Sequence, residues 1–377
     1  MSHYTLTVVL PPGASSLGPD HLHQQLEKAL APYNEHTRVP RYKEYETGKP
    51  DMWRHWDKKF QARLARVAAG ATPTWAMVVQ AQNAPTQELS LIDESANEAD
   101  DGRLFLDDAG AYTYSTYNPD SKWDGWVIGG RWHAYYQLKP DAVAARGAAQ
   151  VHVHAPGAGN GCRCRSCLGT APPSDAVVLR ATGGDPRVVL ADCDTGHTCR
   201  RNGLGSSHIG WADAAPIECI DLDGMRAAAY NAAATDHEHY STVVAGLPAP
   251  LGFKACAREL GLDPEADLEP HQWDSVRQVY WAQPAVKAMD AADIWADSSH
   301  VEALAAGKEA FATRAATRAV PTFAMLGDGH WVAPGSMGWF GMDDATTKDK
   351  DQYYAAANQV LDGLPGATVL ALIDCHI

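Results

Sequence analysis

Three groups of residues in this sequence have the types and spacing to do chemistry. The first is a cysteine and histidine cluster. "CRCRSC" places Cys162, Cys164 and Cys167 within six residues, "CDTGHTC" adds Cys193, His197 and Cys199, and "VHVH" sets His152 and His154 just upstream. Thiolates crowded in this way suit a soft metal, and tetrahedral zinc needs four such ligands at about 2.0 to 2.3 Å. The surrounding stretch has few large apolar side chains with which to build a core, so a structural Zn2+ ion would stand in for one. Reduced cysteines with no metal are the alternative.

The second group is "YNPDSKWDGWVIGGRW", residues 117–132, with three tryptophans, a Gly-Gly step and charges of both signs. A turn at Asn118 to Ser121 delivers Lys122, Trp123 and Asp124. Gly129 and Gly130 let the backbone approach a neighbour closely, beside Arg131 and Trp132. Guanidinium is a planar fork for carboxylate or phosphate, so this reads as an anion site with Arg131 as clamp and Lys122, Trp123, Gly129, Gly130 and Trp132 around the ligand. The competing reading is a bulged strand in which Arg131 pairs with Asp124 or Asp374 to tie a sheet together. The third group is the terminal Asp374-Cys375-His376. On a strand Asp374 and His376 share one face and Cys375 takes the other, so Asp374 and His376, with Asp124, are candidates for acid–base work and Cys375 for a core thiol.

These residues need a scaffold, and the hydrophobic periods outline one. "YTLTVVL" (4–10) reads as a strand. "DHLHQQLEKALAPY" follows as a helix with Leu22, Leu26 and Leu30 a turn apart. A second helix is expected over 52–70, with Trp53, Trp56, Phe60, Leu64 and Val67 on one face, and a short third one capped by Thr72 with Pro73 at its first position. "RLFLDDAGAYTYST" has the pattern of a hairpin turning at Asp107 to Gly110, and "GWVIGGRWHAYYQL" that of a strand bulged at the two glycines. Residues 223–319 read as helical, broken near Gly246 and at Gln283-Pro284. "FAMLGDGHWV" is a hairpin about Asp328-Gly329, "KDQYYAAANQVLDG" a helix, and "ATVLALIDCHI" an apolar strand that belongs inside a sheet beside the first one.

The expected fold class is α+β: an antiparallel sheet of the split βαβ, ferredoxin-like type with helices, plus a zinc-binding loop module and an α-helical insertion. The expected divisions are residues 1–139, 140–216 (the Cys/His module), 217–319 (helical) and 320–377.

At 377 residues, 45% hydrophobic and 20% charged, the chain is a folded protein rather than a disordered one. Its beginning lacks a signal-peptide pattern and no stretch is long and apolar enough to span a bilayer, so a cytoplasmic protein without membrane contact is expected. A net charge of −15 argues against duplex DNA as partner. The segment from His152 to Trp211 carries six Arg against four Asp, which keeps a zinc-knuckle single-strand binder in view. No serine elbow, phosphate-binding P-loop, dinucleotide fingerprint or zinc-protease helix motif is present.

The strings "NPDSKWDGWVIGGRW" (118–132), Ala212 to Met225 with "ADAA" and "IDLDGM", Ala324 to Gly341 with "MGWFG", "LAPYNE" (30–35) and the terminal "DCHI" together resemble an uncharacterised family that recurs in actinobacterial phages and bacterial genomes. This chain reads "WDGW" where the family more often has "WDWY". The resemblance implies a phage or mobile-element origin and supplies no mechanism. Two functions from different classes follow as expectations: an enzyme or binder acting on an anionic, nucleotide-like small molecule, or a non-enzymatic factor such as a phage inhibitor of a host or defence protein.

Overall fold

The structure, a computed structural model, describes residues 2–15, 19–83, 104–144, 179–181, 189–191, 210–266, 268–337 and 342–377. It divides into two compact units, residues 1–29 with 125–377, and residues 30–124. The chain begins with strand β1 (His3–Leu10) and helix α1 (Pro19–Leu30). The second unit then supplies β2 (Tyr42–Tyr45), α2 (Lys58–Ala68), α3 (Trp75–Gln82), β3 (Phe105–Asp107) and β4 (Gly110–Ser115). Back in the first unit come β5 (Gly125–Ile128), β6 (Tyr136–Gln137), α4 (Pro140–Ala144), β7 (Leu179–Ala181), β8 (Val189–Ala191), β9 (Trp211–Ala212) and β10 (Ala214–Pro216). A helical run follows: α5 (Leu222–Val243), α6 (Phe253–Glu259), α7 (Pro270–Ala282), α8 (Pro284–Ala291), α9 (Ser298–Ala305) and α10 (Lys308–Thr317). The chain closes with β11 (Ala324–Gly327), β12 (His330–Val332), α11 (Thr347–Gly363) and β13 (Val369–His376).

The fold is mixed α+β. In the first unit the strands order β12-β11-β1-β13-β10-β8-β7, with β5 also paired to β13. β13 is the centre: it runs antiparallel to β1 over eight residue pairs, to β10 near its start and to β5 near its end. Residues 369–375 are all buried, the outcome expected of an unbroken apolar run. The sheet differs from an all-antiparallel one at a single pair, because β1 and β11 are parallel neighbours. A split βαβ arrangement would set an antiparallel strand between them. β7, β8 and β10, drawn from the segment read as loops, join this same sheet.

Met325, Tyr353, Ala357, Leu361, Leu370 and Leu372 share one core cluster, so α11 packs on the sheet face that carries the even-numbered residues of β13. Thr346 and Asp349 close a capping box at the start of α11. The α5–α10 segment has its own core, including Tyr240, Tyr280, Val286, Met289, Val301 and Leu304. Its break at Gln283-Pro284 lies where proline forbids continuation.

The second unit is a three-stranded sheet, β2-β4-β3, and its Ala111 packs with Phe60 and Leu64 of α2 and Val78 and Ala81 of α3. Two helix starts differ from the sequence reading. α2 begins at Lys58, capped by Asp57, so Trp53 and Trp56 precede it in turns. α3 is capped by Thr74 rather than Thr72, with Pro73 outside. In each case the residue whose side chain accepts from free backbone N–H groups sets the boundary.

Candidate functional site

The register of β1 on β13 sets His3 opposite His376 and Thr5 opposite Asp374. Directly opposed residues point to one face, so His3, Thr5, Asp374 and His376 lie together on it. Asp374 is only 3% exposed, and its Oδ1 is 2.9 Å from His3 Nδ1. Its other oxygen, Oδ2, accepts the backbone N–H of Arg131 at 3.0 Å. The His3 and His376 rings meet edge to face, centroids 4.8 Å apart. An ionised carboxylate only accepts, so it keeps a proton on His3 Nδ1 and in the neutral ring leaves the lone pair on Nε2. The His3 side chain is 20% exposed, which leaves an oriented imidazole in reach of solvent.

Gly129 and Gly130 make this arrangement fit. Their φ values are +71° and +50°, and the chain turns there into a short 3-10 segment, Gly130–Trp132, leaving the strand instead of bulging within it. A β-carbon on Gly129 would lie 2.8 Å from Asp213 Cγ, and one on Gly130 would overlap the Asp374 side chain. Asp213 is fully buried and accepts the Ala134 N–H at 2.7 Å. The Leu372 N–H donates to the Asp213 carbonyl, and the Gly129 N–H to the Leu372 carbonyl, at 2.7 and 2.9 Å. The Gly-Gly loop is thus a strap over two buried carboxylates of the chain itself.

This revises the reading of residues 117–132 in several places. The Arg131 amide, one of those offered to an external anion, is given to Asp374. The Arg131 side chain is exposed and makes no ion pair among the described residues, so its guanidinium ties neither Asp124 nor Asp374. Trp132 is half-buried against the core, and Trp123 is buried with its ring N–H donated to the Leu30 carbonyl at 3.2 Å, so neither presents its indole freely to a ligand. Lys122, Trp123 and Asp124 belong to the second unit, where the Lys122 N–H donates to the Tyr33 carbonyl at 2.8 Å. Asn118 there donates to the carbonyls of Pro32 and Asn34, which makes the turn a clasp on the 31–34 segment.

Arg131, Asp374 and His376 do come together, and His3 and Asp213 join them unforeseen. Asp374 takes His3 as an imidazole partner. His3 was legible in principle, because pairing "HYTLTVVL" antiparallel with "VLALIDCH" end to end sets histidine opposite histidine. Asp213 lies inside the quoted "ADAA" string. Cys375 points to the opposite face as a core thiol, and burial pushes its pKa well above the ordinary thiol range.

Next to the carboxylates runs a seam of buried hydroxyls. Tyr136 Oη and Thr322 Oγ1 each lie 3.0 Å from Thr7 Oγ1, and Tyr353 Oη donates to the Thr322 carbonyl. Burial pushes both phenols far above their ordinary pKa, so they remain protonated donors. The seam is satisfied internally and serves packing.

Comparison with protein-family models, with curated proteins and with solved structures yields no match. The metal candidates Cys162, Cys164, Cys167, Cys193, His197 and Cys199, with His152 and His154, lie outside the described residues. Among the described residues no group of three or more His, Cys, Asp or Glu side chains is arranged to hold a metal ion, and no helix is long and apolar enough to cross a membrane.

Proposed function

We propose that the first unit binds and acts on a small anionic molecule at the β1–β13 end of its sheet, with His3 as the acid–base group, Asp374 as the residue that orients it, and Arg131 as the cation facing the ligand. One observation carries this: a nearly fully buried carboxylate holds His3 through Nδ1 and is itself pinned by the Arg131 amide. Such an arrangement fixes the tautomer and aim of an imidazole, as a general base requires. The ligand class, a phosphate-bearing and nucleotide-like molecule, rests on the exposed guanidinium. A structural zinc held by four of Cys162, Cys164, Cys167, Cys193, His197 and Cys199 and an origin in a phage accessory protein remain part of the proposal on sequence grounds.

Native mass spectrometry of freshly purified protein tests both parts together. The expected spectrum carries bound zinc and a retained anionic metabolite, and Arg131→Ala loses the metabolite while keeping the zinc. If the wild type retains no ligand, and neither inorganic phosphate nor nucleoside monophosphates at millimolar concentration raise its Tm, the binding reading is wrong. A preparation free of zinc removes the metal from it.

A second reading, a protein-interaction factor, is favoured by a different feature. Met52, Trp53 and Trp56 line an open cleft of about 360 Å3 in the second unit, and Trp56 is 73% exposed. Exposed aromatic and Met side chains are the common anchors of protein contacts.

A further inference from the structure

The second unit's sheet has one face packed against α2 and α3 and another that carries a cluster of rings. Ala111 faces the α2–α3 core, and the alternation of β-strands turns its neighbours Tyr112 and Tyr114 the other way. The solvent face of an antiparallel sheet is ordinarily polar. Here it carries Arg41, Lys43, Tyr45, Phe105, Tyr112 and Tyr114. The register puts Lys43 opposite Tyr114, and both Tyr45 and Phe105 opposite Tyr112. Phe105 stacks on Tyr112 with centroids 5.5 Å apart, and Tyr45 and Tyr114 sit 5.4 and 5.5 Å from the same ring. Tyr112, at the centre of the cluster, is buried by its neighbours, whereas Tyr45 is 39% exposed.

Cations already lie over these rings. The Arg41 guanidinium is 3.9 Å from the centre of Tyr114 and the Lys43 ammonium 4.3 Å from that of Tyr112. Asp107 pairs with Lys43 at 2.6 Å and accepts from Tyr45 Oη at 3.0 Å. Two cations, Arg41 and Lys43, against the single carboxylate of Asp107 leave this face locally positive on a chain whose net charge is −15.

We infer that this face of the β2-β4-β3 sheet binds single-stranded nucleic acid. The exposed Tyr45 ring and the Arg41 guanidinium plane lying over Tyr114 offer surfaces on which unpaired bases stack, and the cations beside them meet the phosphates. Duplex fits poorly, because its bases are already stacked and the whole-chain charge opposes a dense phosphate array. An acidic peptide would use the cations and leave the ring cluster unexplained. None of its residues belongs to the His3–Asp374 site or to the cysteine cluster.

The test is fluorescence anisotropy of the full chain with labelled dT and rU 12-mers and a 12-base-pair duplex, at low and moderate salt. Single strands are expected to bind at least about tenfold tighter than duplex. Tyr45→Ala is expected to weaken them by about tenfold, the worth of a stacked base. Arg41→Ala with Lys43→Ala is expected to lower the log–log salt slope by roughly 1. These side chains are exposed, and an unchanged Tm shows that the variants fold. The inference is overturned if no single strand binds, if duplex binds as tightly, or if polyglutamate displaces the strand as well as an unlabelled 12-mer does. It is equally overturned if the variants bind as the wild type does, which would place the strand elsewhere, for instance on the arginines between Cys162 and Arg201.

Discussion

Replacing Gly130 by alanine tests the strap over Asp374 directly. The residue has φ +50°, which costs an alanine about 1 to 2 kcal/mol. The added carbon would overlap Asp374 at its Cβ and Oδ2, so the carboxylate must move. Moving it loosens the hydrogen bond to the Arg131 amide and the one to His3, each involving a charged group in a nearly dry setting and worth about 1.5 to 3 kcal/mol if lost. Alanine's smaller unfolded-state entropy returns roughly 0.4 to 1 kcal/mol. With one of the two bonds lost, the net cost is about 3 kcal/mol, and with both it approaches about 5, which corresponds to a Tm lowered by roughly 10 °C. Arg131→Ala is the matched control. Its backbone N–H survives and its side chain is exposed, so stability should change by less than about 0.5 kcal/mol. Thermal melts by near-UV circular dichroism, with urea titrations on the same three proteins, supply both numbers. A Gly130→Ala protein melting within a degree of the wild type would refute the close packing of the strap, and an Arg131→Ala protein as damaged as Gly130→Ala would show that the guanidinium is the structural tie after all.

Two further outcomes follow from the fold. Truncation after Gly366 removes β13 and leaves β1, β5 and β10 without their shared partner, so soluble expression should fail; fast hydrogen exchange across residues 369–376 of the intact chain would contradict this. Asp297 caps α9 by accepting from the N–H groups of Ser299 and His300 and the Ser299 hydroxyl. Burial pushes its carboxyl pKa up, but these hydrogen bonds outweigh burial and leave it below the ordinary value. Asp297→Ala should cost about 1 kcal/mol at neutral pH. Because the folded pKa is the lower one, that stabilisation is present above the unfolded value near pH 4 and lost as pH falls through the folded value, so urea titrations of wild type and variant should converge in acid.

Much of the local structure was legible in the sequence because local rules write it. Leu22, Leu26 and Leu30 a turn apart gave α1, Asp328-Gly329 gave the β11–β12 hairpin, and the apolar run at 369–375 announced a central strand beside β1. The helix boundaries near Trp53 and Thr72 were misplaced by a few residues, since hydrophobic spacing does not say which polar side chain will cap. The resemblance strings marked residues 117–132 and 374–377 but not what they do.

What the sequence determined by itself was therefore the set of elements and a short roster of polar residues. Tertiary structure alone decided which of these residues meet. Asp374 meets His3, 371 positions away in the chain. The tryptophan-rich motif is divided, with Trp123 buried in one unit and Gly129-Gly130 strapped over carboxylates in the other. The physical reason is that a buried carboxylate must find donors wherever strand register and a positive-φ turn deliver them, and register is a property of the paired sheet, not of either strand read alone.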